Sequence, residues 1–138
     1  MSESKNVSIV MTTSQKVDDQ REEQTARFTG TLWPKGDSTH IIYQENNTKT
    51  HIRIGPDLVH IHRLGELSGD LWFVEGEERD CRYQTPYGCM MLTLHTHRIR
   101  WDKHKLQIRY NILVEGQLAS MNEMTIEMKE NKNEQPGQ

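Results

Sequence analysis

Two His-x-His elements, His60/His62 and His95/His97, are the first residues of this chain whose type and spacing suggest chemistry. In an extended strand a spacing of two puts both imidazoles of a pair on one side, an arrangement compatible with zinc or another transition metal. Two features count against a metal. The apolar neighbours Val59 and Ile61, and Leu92 and Leu94, occupy the alternate positions, so all four imidazoles are expected to face solvent. No Asp or Glu shares the spacing as a third ligand, whereas a metal centre needs a complete set of ligands held by oriented supports. The expectation is solvated surface histidines, with no metal and no cofactor.

A second constellation is expected on the opposite face. Arg63 follows Val59 and Ile61 at even spacing, and Glu45 follows Ile41 and Tyr43 in the same way, so both charges should point inward. Cys81, Tyr83 and Thr85 share one face, and Tyr110 lies within the run Leu106, Ile108, Tyr110, Ile112, Val114. A charge buried without a partner costs several kcal/mol, so Arg63 must meet Glu45, a ring of hydroxyls, water or an anion. Two readings stay open. In one, an Arg63–Glu45 pair fixes strand register and Tyr83 and Tyr110 satisfy the spare donors. In the other, Arg63, Glu45, Tyr43, Tyr83, Thr85 and Tyr110 surround the acidic group of a small ligand whose apolar part lies along Met11, Phe28, Leu92 and Met124.

No catalytic motif accompanies these residues. There is no Gly-x-Ser-x-Gly elbow, no phosphate-cradling glycine loop and no Cys-x-x-Cys. Glu45 beside an arginine would have its pKa lowered, which weakens it as a general base near neutrality. The chain is therefore not expected to be an enzyme. Cys81 and Cys89, flanking a hairpin at Pro86-Tyr87-Gly88, would stand about 13 Å apart at ~3.3 Å per residue. That is too far for a disulfide, so two free thiols are expected.

The elements that must position these side chains are strands. Turn signals recur at Asp18-Asp19, Pro34 to Asp37, Glu45-Asn46-Asn47, Gly55-Pro56-Asp57, Gly65 to Gly69, Glu75-Gly76-Glu77, Pro86-Tyr87-Gly88, Asp102-Lys103-His104 and Glu115-Gly116-Gln117. Apolar residues between them alternate with polar ones, as in Val7, Ile9 and Met11, or Met90, Leu92 and Leu94. Leu71-Trp72-Phe73-Val74 is apolar on both faces, so its register is open and its outer side is expected to be covered. Short connections imply sequential antiparallel pairing, and so many strands are best accommodated by rolling up. The fold class is all-β, a closed antiparallel meander barrel of about 8–10 strands. Gly30 in mid-strand suggests a bend or bulge. Residues 7–128 are expected to form one domain, with 1–6 a frayed N-terminus and 129–138 a disordered C-terminal tail.

With 17 basic and 20 acidic residues interspersed, the net charge of -3 offers no concentrated positive surface for nucleic acid. No apolar run approaches a membrane span, and the opening residues lack the core of a secretory signal, so a cytoplasmic protein with no membrane partner is expected.

Gly30, Tyr43-Gln44-Glu45, Val59 through Gly65, Phe73, Tyr83 through Gly88, Thr96 and Tyr110-Asn111-Ile112 occur in an order and spacing that resembles the YwiB-like proteins of Gram-positive bacteria. The likeness runs from about Val7 to Met128. It implies a lipocalin- or calycin-like barrel and a bacterial cytoplasmic setting, and no activity, because the family has none assigned. Tyr43, Glu45, Arg63, Tyr83 and Thr85 match its pattern; the His-x-His pairs do not. The leading functional expectation is non-enzymatic binding of a small acidic or amphipathic ligand inside the barrel. The alternative is a filled barrel serving protein interaction or homodimerisation, and a metal-dependent hydrolase built on the His-x-His pairs ranks third.

Overall fold

The computed structural model describes residues 4–131, and turns at the expected signals divide them into ten strands. In chain order these are β1 (Lys5–Val17), β2 (Gln20–Lys35), β3 (Ser38–Glu45), β4 (Thr48–Ile54), β5 (Leu58–Gly65), β6 (Ser68–Val74), β7 (Glu78–Thr85), β8 (Gly88–Asp102), β9 (Lys105–Val114) and β10 (Gln117–Glu130). Each strand pairs antiparallel with its sequence neighbours and β1 closes on β10, giving one closed meander barrel. The turns show why short connections suffice. Asn46 and Asn47 both adopt positive φ, 47° and 63°, the conformation of a two-residue hairpin that asparagine tolerates.

Side-chain alternation fills the barrel. Ile41, Ile52, Ile54, Val59, Ile61, Phe73, Leu106, Ile108 and Ile126 are all buried and form an apolar plug. Each contributes roughly 1.5–3 kcal/mol of hydrophobic burial, which makes this half of the interior the main stabilising element. The ambiguous segment of β6 takes the register Val59↔Phe73 and His60↔Trp72. Phe73 therefore enters the core, and Trp72 lies outside under the ring of His60, stacked at 3.8 Å. That supplies the outer cover the sequence called for.

Parity needs correction in β8. A bulge between Thr96 and Arg98 takes up His97 as an extra residue, so the inward set passes from Leu94 and Thr96 to Ile99 and Trp101. Met90, expected inside with Leu92 and Leu94, is 48% exposed because the strand has reached the barrel rim there. Strand β1 begins at Lys5 and β10 continues to Glu130, two residues beyond the expected core at each end. The Asn131 N–H donates to the Asn6 carbonyl at 2.8 Å, and its side chain accepts from the Ser8 hydroxyl at 2.6 Å. The remainder of the expected frayed segment and tail, 1–3 and 132–138, lies outside the described residues.

Gly30 marks where β2 changes partners. From Gln20 to Leu32 β2 pairs with β1, but it pairs with β3 only from Gly30↔Tyr43 to Lys35↔Ser38. A Cβ at Gly30 would come within 2.5 Å of the Ile42 carbonyl oxygen and 3.2 Å of Tyr43 Cβ. The fold thus requires a glycine where two backbones approach this closely.

Gly30→Ala should lower stability by about 1–3 kcal/mol through overpacking, read as a fall in the denaturation midpoint. Gly55→Ala, whose new Cβ meets only the Leu58 carbonyl at 3.6 Å, should cost much less. Cys81 is buried and Cys89 exposed, both free. Burial pushes the Cys81 thiol up in pKa, against the opposing Trp72 N–H that donates to its sulfur. A thiol reagent should therefore modify one cysteine in the native protein and two in denaturant; rapid labelling of both under native conditions would contradict the closed barrel.

Candidate functional site

The cross-strand register from β2 to β8 places Gly30, Tyr43, Thr50, Arg63, Gly69, Tyr83 and Met90 in successive opposition, one residue per strand. The row has side chains at its centre and two glycines beside them. A Cβ at Gly69 would meet the Tyr83 ring at 3.0 Å and the Arg82 carbonyl at 2.5 Å. Without one, Tyr83 leans across β6 and accepts a hydrogen bond from Arg63 Nη1 at 2.7 Å. Arg63 Nε donates to the Thr50 hydroxyl at 3.3 Å. At the other glycine, Tyr43 stacks on Phe28 with ring centres 4.3 Å apart.

Burial alone would lower the Arg63 pKa, but Tyr83 and then Tyr43 outweigh it and raise the value. The guanidinium therefore keeps its charge at any physiological pH. Among the described residues, no carboxylate oxygen lies within 4.0 Å of it. Its partners are hydroxyls, which orient dipoles toward the charge without neutralising it.

Above Arg63 opens a pocket of about 700 Å³. A meander sends alternate turns to the same end, and this is the end of the β1–β2, β3–β4, β5–β6, β7–β8 and β9–β10 turns. Met11, Ala26 and Phe28 supply one wall from β1 and β2, where β2 has parted from β3. Tyr43, Thr50 and Arg63 form the floor, and Glu45, Glu66 and Tyr87 stand at the mouth. A larger hollow of about 1050 Å³ lies on the outer face, but its charged groups Asp102, Lys105, Glu127 and Lys129 are exposed, with no buried polar side chain aimed into it.

Of the six residues expected to form a ligand site, the structure brings Tyr43, Arg63 and Tyr83 together. Tyr83 supports Arg63 from behind and is not itself part of the wall. Glu45 is exposed and makes no ion pair with Arg63, which corrects the expected internal pair. Alternation had given Glu45 the right face but not its height: it opposes Thr48, one inward position nearer the mouth than the Tyr43–Thr50 pair. Thr85 spends its hydroxyl on the β7–β8 turn, donating to the Gly88 carbonyl and accepting from the Tyr87 N–H, both at 3.1 Å. Tyr110 is buried edge-on against Phe73, away from the pocket wall. Burial pushes its pKa up to about 12, with the Arg63 charge acting the other way. Leu92 and Met124 likewise fall outside the wall, whereas Met11 and Phe28 belong to it. Thr50 was not anticipated, although it shares the parity of Ile52 and Ile54.

On the outer face, Asp70 corrects the expectation that the His60/His62 pair lacks a third group. It lies opposite His62 across the β5–β6 ladder, and its Oδ1 meets His60 Nε2 at 2.7 Å and His62 Nδ1 at 2.8 Å. Partial burial would raise the Asp70 pKa, but these two hydrogen bonds prevail and hold it below the usual carboxylate range.

A family model described as "Domain of unknown function (DUF1934)" matches residues 9–126. No curated protein matches the chain. The crystal structure of the ywiB protein from Bacillus subtilis superposes with a TM-score of 0.81 at 21% identity, covering 94% of each chain. At that identity the likeness establishes the barrel and does not extend to its contents.

Tyr83→Phe should leave the barrel closed and cost about 1.5–3 kcal/mol, the range for a hydrogen bond to a charged group. In a double-mutant cycle, Arg63→Met should cost less in the Tyr83→Phe background than in wild type. Strict additivity in urea denaturation would show that the two side chains do not support each other.

Proposed function

The chain belongs to the DUF1934 family, a domain of unknown function, and from that footing we propose that it is a non-enzymatic barrel binding one small acidic or amphipathic molecule at its open end. The observation that carries this reading is Arg63: a largely enclosed guanidinium on the floor of a solvent-connected pocket, with hydroxyl partners and no carboxylate within 4.0 Å among the described residues. Desolvating a cation without a counter-charge is unfavourable, and a carboxylate or phosphate entering from the mouth would relieve that cost. The pocket volume is in the range of small-molecule sites. Met11, Ala26, Phe28 and Leu67 give the ligand's remaining part an apolar wall. Glu45 and Glu66 at the mouth would disfavour a second negative group there, so the preferred ligand has its anionic head at the floor. Nothing in the pocket pairs a nucleophile with a base, which supports binding without turnover.

A second reading, an interaction or dimerisation surface, has its own observation. Large apolar side chains that remain exposed, among them Val17, Leu64, Tyr87, Met91, Val114 and Leu118, belong to the strand ends and turns around this same mouth. Such a rim suits either the tail of an amphipathic ligand or the matching end of another molecule.

Thermal-shift measurements with fatty acids and small phosphates separate the two readings. Binding predicts that one class raises the midpoint by several degrees, and that Arg63→Met abolishes the rise while keeping the strand signature in circular dichroism. A wild-type protein unmoved by millimolar anions, or a variant that keeps the full shift, would refute it. An anion-insensitive protein that sediments as a dimer, and as a monomer after Leu118→Lys, would establish the surface reading instead.

A further inference from the structure

We propose that His60, His62 and Asp70 form a binding site for a divalent metal ion of the zinc class on the outer face of the barrel. The site is distinct from the Arg63 pocket and does not rest on the proposed binding function. Each of the three residues offers a ligand atom, and these atoms all lie within 4.8 Å of one another. Both imidazoles converge on the same carboxylate oxygen, at 2.7 and 2.8 Å. A zinc ion about 2.0–2.1 Å from each ligand atom would need them roughly 3.3 Å apart in a tetrahedral arrangement. Ion binding therefore requires the two N–O contacts to open by about half an ångström and the two imidazole nitrogens to settle at the same spacing. On loading, each imidazole would carry its proton on the nitrogen turned away from the metal, Nδ1 in His60 and Nε2 in His62.

Backbone geometry explains why these three meet. Adjacent outward positions on β5 carry the histidines, and the β5–β6 register sets Asp70 directly opposite His62. The His60 ring is held flat against Trp72, 3.8 Å away with 4° between planes, so one ligand is orientated before any ion arrives. His60 is 20% exposed, and His62 and Asp70 are 45% and 44% exposed, so an ion can enter from solution. His51, opposite His62 on β4, is already engaged through Nε2 by His40 Nδ1 at 2.9 Å. Three protein ligands and remaining positions open to water describe the site. Two imidazoles with one carboxylate select a borderline ion such as zinc, cobalt or nickel over magnesium or calcium, which prefer oxygen alone.

The other His-x-His element supplies an internal comparison. His95 and His97 sit at the β8 bulge, and the nearest carboxylate contact, His95 Nδ1 to Glu78 Oε2, is 3.9 Å long. Among the described residues no carboxylate oxygen lies within 4.0 Å of both rings, so they should not hold the ion.

The test is calorimetric titration of the chelator-treated full chain with zinc chloride, joined by the visible spectrum of the cobalt(II) form. The expected result is one equivalent bound, absorption bands of low-coordinate cobalt, and a raised thermal midpoint. His62→Ala and Asp70→Ala should each weaken binding by at least about tenfold. A variant carrying both His95→Ala and His97→Ala should bind as wild type does. Asp70→Asn, close to the native shape, replaces Asp70→Ala if the latter fails to fold. Absence of saturable binding in the wild type, or binding that is lost with His95 and His97 and kept without His62 and Asp70, would overturn the site.

Discussion

The charge of Arg63 is the constraint around which the open half of the barrel is arranged. A guanidinium cannot shed its proton to escape burial, so the surroundings must accommodate it. They do so with two hydroxyls in hydrogen-bond contact, Thr50 and Tyr83, and with glycine beside it at position 69, where a Cβ would collide with the Arg82 carbonyl and crowd the Tyr83 ring. Both the missing Cβ and a φ of 143°, which other residues rarely adopt, call for glycine at this position. Because no carboxylate completes the arrangement among the described residues, the charge is left facing a cavity rather than locked into a structural ion pair.

This arrangement divides the labour of the interior. Isoleucines, Phe73 and Leu106 pack one region densely enough to hold ten strands together, so the other region is free to keep space. The partner change of β2 at Gly30 contributes to that space: past this point β2 follows β1 alone, and the wall formed by Ala26 and Phe28 stands apart from β3. The turns gathered at this end carry exposed apolar residues around the same mouth, so the Arg63 charge and an apolar rim open onto one space.

Strand β5 joins the two candidate sites. Its inward residues Val59, Ile61 and Arg63 run from the apolar plug to the pocket floor, and its outward residues His60 and His62 face Asp70 and Trp72. Opposite faces of one extended segment thus present a guanidinium to the lumen and two imidazoles to solvent. The sheet itself separates them, and each rests on its own set of neighbours.

Turn chemistry and two-residue alternation were sufficient to read the approximate number of strands, their order and the faces of most side chains, because both are local properties of the backbone. They also placed Tyr43 and Arg63 on the inner face. What they did not determine was height along the barrel, which depends on the register of neighbouring strands. Register made Arg63 level with Thr50 and Tyr83, lifted Glu45 to the mouth, left Thr85 at the end of β7 beside its turn and buried Tyr110 against Phe73. The same cause hid Asp70 from its histidines: it is eight residues from His62 in the chain but 2.8 Å away in space, a closeness created only when β6 docks on β5. Alternation assigns a side chain to a face; only strand pairing decides which side chains share a site.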